Sequence, residues 1–472
     1  MINDNAYPLV DRITAKKNYA SSMQGHKMGM TGLYNDLFKQ LGLGSHLPDS
    51  NYQVAVYQFP FVGFKYNQSN DTYEFIGIYT VGPDKGSKVT FGYSSSYDYL
   101  LSLEGPNHLP RATRFLHPWV DVDYSTADET LTFGGEEGWD CDGIGGGLKT
   151  DKAADKDAIL ALYTSEWKPA YDLVFHCSPY IASLADALTA SGFADVEAVN
   201  ADIATFLSGT TNGISNTLLS FYDENYDIWF SRTSDSGKLH NLITVEGSSA
   251  HNILTYLGLT GTPTTAQIIA ARAAKFKNDA PNYWDIDQTL YHYCFCLFFG
   301  VTDNFAKNSY PFKFRSLNDT DAGNRWGWRQ DDLDTVLATD NNGRNTKPYY
   351  VEHGDTNTSG VEIFQGGTSA LWVLIRDNYQ AEIRTEMVSL VNAMVSLAGA
   401  LRITGSATHE TVFNLISRYC WEHSAKYFSE TLYEKDRRWS YIEPWLRNPA
   451  QEYNNVLPLD QALGDEYQAE RL

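Results

Sequence analysis

An apolar run from Tyr291 to Val301 leads straight into a polar segment that reads TDNFAKN from Thr302 to Asn308. Residues this apolar demand burial, so whatever follows them is anchored to a core. The run is too short for a membrane span, which takes about twenty apolar residues. Asp303 and Asn308 are separated by four residues, the D-x-x-x-x-N spacing of a phosphoryl-transfer catalytic loop. Asp332 and Asp334 follow, on a segment rich in Trp and β-formers. An Asp that accepts a hydroxyl proton, with an Asn and later carboxylates at a metal, would make a phosphate site. The same residues also make a solvated turn rich in Asp and Asn. Spacing alone leaves both readings open.

A chain of 472 residues holds two or three cores. A formal net charge of −22 argues against binding duplex DNA through its phosphates, and no sequence-specific nucleic-acid binding is expected. An acidic wall does, however, let DNA slide past without sticking. The 31 Tyr suit aromatic-rich interfaces. Cys141, Cys177, Cys294, Cys296 and Cys420 form no C-x-x-C pair, and Cys294 and Cys296 read as buried thiols. The first twenty residues carry no apolar core of a signal peptide.

Three regions are expected. Residues 1–50 form an N-terminal arm with a short amphipathic helix from Gly32 to Leu43, apolar at Leu33, Leu37 and Leu41. Residues 51–180 form a β-rich lobe, with strands at Gln53–Phe59 and Tyr73–Val81 and a turn at Gly82–Gly86. His176 and Cys177 read as a strand-end pair. The acidic glycine loop Gly134–Gly147 holds a D-x-D-G fragment but no Glu at the bidentate calcium position. Residues 181–472 form a mainly helical lobe that carries both the DNFAKN and the DLDT segments. Helices are expected at Asp195–Leu207, from a capping box at Thr264 and Gln267 through Phe276, and from Thr408 to about Tyr433. The longest is expected to run unbroken from Thr368 to about Ile403, with a buried stripe from Tyr379 to Leu401. The class is α+β. The pattern from Pro458 to Leu472 starts a helix that reaches no cap, so the chain is expected to continue beyond 472.

Several segments, in order, resemble the large muzzle-type tail proteins of crAss-like short-tailed bacteriophages of gut bacteria. They are YEFIGIYTVGPDKGSKVTFGY, SLEGPNH, GVTDNFAKNSYPFKF, DLDTVLATDNNGRNTKPYYVE and LPLDQALGDEYQAERL. The resemblance implies a structural virion protein, made in the host cytoplasm and built into the tail tip that closes or gates the DNA ejection channel. Its partners would be other tail proteins and further copies of itself in a ring, sixfold by analogy, with no membrane span and no cofactor.

A second likeness concerns fold. The strand Phe75–Tyr79, the apolar helix Trp284–Gly300, the loop Asp303–Asn308 and Asp332-Leu333-Asp334 follow one another as in the CotH-type atypical kinases. This resemblance implies a two-lobed core with Asp303 as base, Asn308, Asp332 and Asp334 at metal, and ATP with magnesium as cofactors. The Lys–Glu pair that anchors nucleotide in a working kinase has no clear counterpart, since Lys85 and Lys88 sit close to turn glycines. A degenerate, kinase-like core is therefore expected, with its polar residues serving as a structural cluster. A third reading takes Trp326-Gly327-Trp328 as an exposed glycan platform.

Overall fold

The apolar run is a helix, and it is buried along almost its whole length. The computed structural model describes residues 13–16, 25–83, 88–92, 99–100, 102–103, 121–122, 131–132, 139–140, 165, 168–177, 220–223, 228–232, 239–242, 256–260, 264–301, 304, 309–314, 325–331, 333, 336 and 370–424. Its strands are β1 (Ile13–Lys16), β2 (Phe59–Asn67), β3 (Thr72–Pro83), β4 (Tyr99–Leu100), β5 (Ser102–Leu103), β6 (Asp121–Val122), β7 (Leu131–Thr132), β8 (Trp139–Asp140), β9 (Ser220–Asp223), β10 (Ile228–Arg232), β11 (Leu239–Leu242), β12 (Ser309–Lys313) and β13 (Gly327–Gln330). Its helices are α1 (Gly25–Gln40), α2 (Lys88–Phe91), α3 (Lys168–Cys177), α4 (Thr265–Tyr283), α5 (Ile286–Phe298), α6 (Ala370–Asn378), α7 (Gln380–Ala400) and α8 (Thr408–Ser424). The class is α+β.

Helix α5 begins where the Asp285 carboxylate accepts from Gln288 N at 3.1 Å. It ends at Phe298 with Phe299 as its C-cap, and Gly300, the next residue, has a φ of 58° in the left-handed region. Val301 N then donates to Cys296 O at 2.9 Å, the Schellman closure that only a residue tolerant of positive φ permits cheaply. Every residue from Gln288 to Cys296 is buried. A helix buried on all sides must be packed on all sides. Tyr34 of α1, Trp328 of β13 and Trp372 of α6 supply that cover.

Helix α1 lies inside the range read as an arm and extends earlier than the sequence pattern indicated. Its residues Met30, Leu33, Tyr34, Leu37 and Phe38 are buried, and Leu41 lies past its end. At Gly29 a Cβ would fall 2.7 Å from Cys420 Cα, so the backbones of α1 and α8 touch and only glycine fits.

Helix α4 opens on the expected capping box but continues past Phe276 to Tyr283, with Pro281 accommodated in its last turn. The single helix expected from Thr368 to Ile403 is two. Tyr379 (φ −117°, ψ 30°) breaks it. Its buried ring packs edge-on against Phe276 at 6.2 Å, and its hydroxyl reaches Lys277 O at 3.4 Å. Those contacts pull Tyr379 out of helical geometry, yet Tyr379 N still donates to Ile375 O and Ile383 N to Tyr379 O. The result is a kink rather than a loop. Leu390 and Met394 are buried, whereas Leu401 is 49% exposed, because the helix stops at Ala400 and Arg402 turns away with φ 58°.

The first β pattern is displaced. No strand spans Gln53–Phe59; β2 starts at Phe59. Asn35 explains the difference: its Oδ1 accepts from Val54 N at 2.9 Å and Ala55 N at 3.0 Å. A side chain of α1 thus takes bonds that a strand neighbour would have taken. Val56 N instead donates to Gln330 O, and Gln330 N to Val54 O, tying this segment to β13. Strands β1, β3 and β2 form one antiparallel sheet in that order. The meander β9–β10–β11 falls in the range read as mainly helical. Cys177 ends a helix, α3, and not a strand. The helix expected at Asp195–Leu207 and the segment Pro458–Leu472 lie outside the described residues. Among the described residues, no helix is long and apolar enough to cross a membrane.

Candidate functional site

The chemistry that the sequence placed after α5 begins on α5 itself. Thr289, His292 and Cys296 share one helical face, at spacings of three and four residues. That face meets β13 and α6. Trp328 stacks on Trp284 with centroids 5.4 Å apart and planes 5° apart, and its Nε1 donates to Thr289 Oγ1 at 3.1 Å. His292 stacks on Trp372 at 5.2 Å. Trp326 and Trp328 are 2% and 0% exposed, so the glycan platform read from Trp326-Gly327-Trp328 is core instead. The glycine between them is required: a Cβ there would lie 2.8 Å from the Phe312 ring and would collide with Gln288 Oε1.

His292 is wholly buried. Its Nε2 sits 3.1 Å from Asn304 O and its Nδ1 3.5 Å from the Tyr34 hydroxyl. A proton on Nε2, donated to the carbonyl, with Tyr34 donating to Nδ1, satisfies both ring nitrogens. Burial lowers its pKa to about 4, so the ring is neutral near pH 7. Asn304 Nδ2 donates to Gln330 Oε1 and, at 2.8 Å, to Asp331 O. Gln330 Nε2 in turn donates to Cys296 Sγ at 3.1 Å. Burial raises the Cys296 pKa far above the ordinary thiol range, which keeps it protonated and unreactive. Tyr310 directs its hydroxyl at Asp331 Oδ2, 3.4 Å away. The Arg329 guanidinium lies 4.0 Å from the centroid of Phe91 and 5.2 Å from that of Tyr310.

Asp303, Asn308, Asp332 and Asp334 lie outside the described residues. Residues beside them are brought together. Asn304 bonds to Gln330 and Asp331, and Ser309 pairs with Gln330 in the β12–β13 ladder. Asn304 and Ser309 therefore both meet β13 at Gln330. Lys85 is also outside the described residues, and Lys88 begins α2. Three carboxylates and an amide are hard oxygen donors of the kind magnesium takes. Among the described residues, no group of three or more His, Cys, Asp or Glu could hold a metal ion.

The sequence reading missed His292, Asn304 and Gln330. A histidine four residues before a cysteine on an apolar face was the available signal for the first. Asn304 and Gln330 had none, because their partners are set by tertiary packing. No known family profile matches the chain, and no curated protein is similar to it.

Proposed function

We propose that the chain is a structural subunit of a bacteriophage tail, of the muzzle type found in crAss-like phages, working as a ring with other tail proteins at the channel exit. The ordered resemblance of five segments supports this reading, as does the net charge of −22. The observation that carries the structural role is the state of the groups around the loop. His292 is held neutral, Cys296 is held protonated, and Asn304 and Gln330 hydrogen-bond within the protein. Such a cluster suits a fold-fixing role. A gold-labelled antibody against the chain, imaged on assembled particles, tests the proposal. Label at the tail tip is the expected result, and label confined to the capsid, or none, removes it.

A kinase-like core is the second reading, and one arrangement favours it. A buried helix and the antiparallel pair β12–β13 follow in order, with Asn304 and Ser309 both against the end of β13. In this reading Asp303 is the base, and Asn308, Asp332 and Asp334 hold magnesium for ATP. Magnesium and ATP then raise thermal stability by about 2.7 kcal/mol at 100 times Kd. Phosphoryl transfer that vanishes in Asp303→Ala would displace the scaffold reading; no thermal response would remove the enzyme.

A further inference from the structure

The hairpin β2–β3 changes character along its length. Near its base β3 is flanked by β1, which pairs Lys16 with Thr80 and Ile13 with Pro83. Beyond the bulge between Gly63 and Phe64 it is a two-stranded ribbon. Among the described residues, no strand lies beside the outer edge of Lys65–Asn67 or of Thr72–Glu74. Both faces of this ribbon are exposed throughout. One carries the cross-strand pair Tyr66 and Tyr73, with ring centroids 5.1 Å apart and exposures of 48% and 72%. The other carries Lys65 opposite Glu74.

A ribbon of two strands that buries neither face gains little stability of its own, and two open edges invite pairing. We propose that this ribbon joins copies of the chain head to tail, with β2 of one copy pairing antiparallel to β3 of the next. The inference rests on the ring reading above and names its contact. Charge selects a second copy as the occupant. In head-to-tail register each Lys65 stands between two Glu74 side chains, one from its own chain and one from the neighbour, and the tyrosines alternate in the same way. Two-fold pairing of β2 with β2 would instead bring equivalent edges together and leave both β3 edges open. Because the pairing is heterologous, it gives a ring where the rotation between successive copies closes, the arrangement the ring reading requires. The bulge, together with Pro60 and its missing N–H, confines pairing to the distal segment.

Two full-length variants, Tyr66→Cys and Tyr73→Cys, are mixed and oxidised, with each variant alone and the unsubstituted chain as controls. Light scattering follows assembly, and circular dichroism confirms folding at these exposed positions. The expected result is a cross-linked dimer in the mixture at least tenfold more abundant than in either variant alone. Cross-linking of Tyr66→Cys with itself overturns the head-to-tail contact in favour of a two-fold one. A ring without cross-links overturns the ribbon contact and leaves the ring standing. A monomer of the unsubstituted chain, at concentrations that match the particle, removes the ring and this contact together.

Discussion

Aromatic residues are used in opposite ways by α5 with its neighbours and by the distal β2–β3 ribbon. Around α5, Trp284, Trp328 and Trp372 are fully enclosed, and their packing is locked by a polar thread from Tyr34 through His292 to Asn304. On the ribbon, Tyr66 and Tyr73 face outward, and a single hydroxyl bond, Tyr66 to Asp71 at 2.9 Å, holds one of them. The first arrangement fixes the fold of one chain. The second leaves both rings open to solvent. Composition alone could not separate them, since both draw on the same surplus of Tyr and Trp.

The sharpest way to break the contrast is to truncate its centre. Trp328→Ala removes a ring that touches Trp284, Trp372 and His292 at once and orphans Thr289 Oγ1 of a donor. It should lower stability by about 3–5 kcal/mol, read as a fall in the urea midpoint. A loss under roughly 1 kcal/mol would mean that the stack can be dispensed with. Next in size, Leu390→Ala on α7 should cost about 2–5 kcal/mol, because the side chain is 0% exposed and the helix meets α5 there. A loss below about 0.5 kcal/mol would place that face in solvent.

Acid probes the polar thread. Folding lowers the His292 pKa from 6.5 to about 4, since burial disfavours the imidazolium. The stability carried by the neutral ring is present above the unfolded value and is lost as pH falls through about 4. The gap corresponds to about 3 kcal/mol. His46 behaves with the opposite sign. Its Nδ1 lies 2.6 Å from Asp285 Oδ2, and this bond raises its pKa. Its contribution is complete below the unfolded value and fades as pH rises through the folded one. Melting temperatures across pH 3.5–8 should show a shallower acid limb in His292→Gln and a flatter neutral limb in His46→Gln. Superimposable curves for the variants and the parent would refute both assignments.

Local patterns that bury themselves were legible in the sequence. The burial of Tyr291–Val301 follows from composition, and the Thr264–Gln267 cap and the start of α8 at Thr408 follow from periodicity and end chemistry within one segment. Features decided by distant partners were not. The kink at Tyr379 depends on Phe276, and the loss of a strand at Gln53–Phe59 depends on Asn35. The bond between Tyr34 and His292 spans 258 residues of sequence. The candidate site shows the same division. The D-x-x-x-x-N pattern drew attention to the segment after α5, but the groups that hold Asn304 (Gln330 and the Asp331 carbonyl) come from a strand whose position no local pattern specifies.

The smallest expected effect sharpens the comparison most. Tyr73→Ala removes a ring that is 72% exposed, on a ribbon with no strand beside its outer edges among the described residues. In the dilute single chain it should change stability by less than about 0.5 kcal/mol, as substitutions away from packed or bonded features do. If the ribbon joins copies, the same substitution should weaken assembly at high concentration, because each subunit then loses a tyrosine from both of its contacts. Stability by urea and mass by light scattering, measured on one preparation, separate the two roles. A small loss of stability with a clear loss of mass assigns Tyr73 to an interface. A stability loss above about 1 kcal/mol in the single chain would instead place that ring in the same class as Trp328, and the contrast between core and ribbon would be wrong.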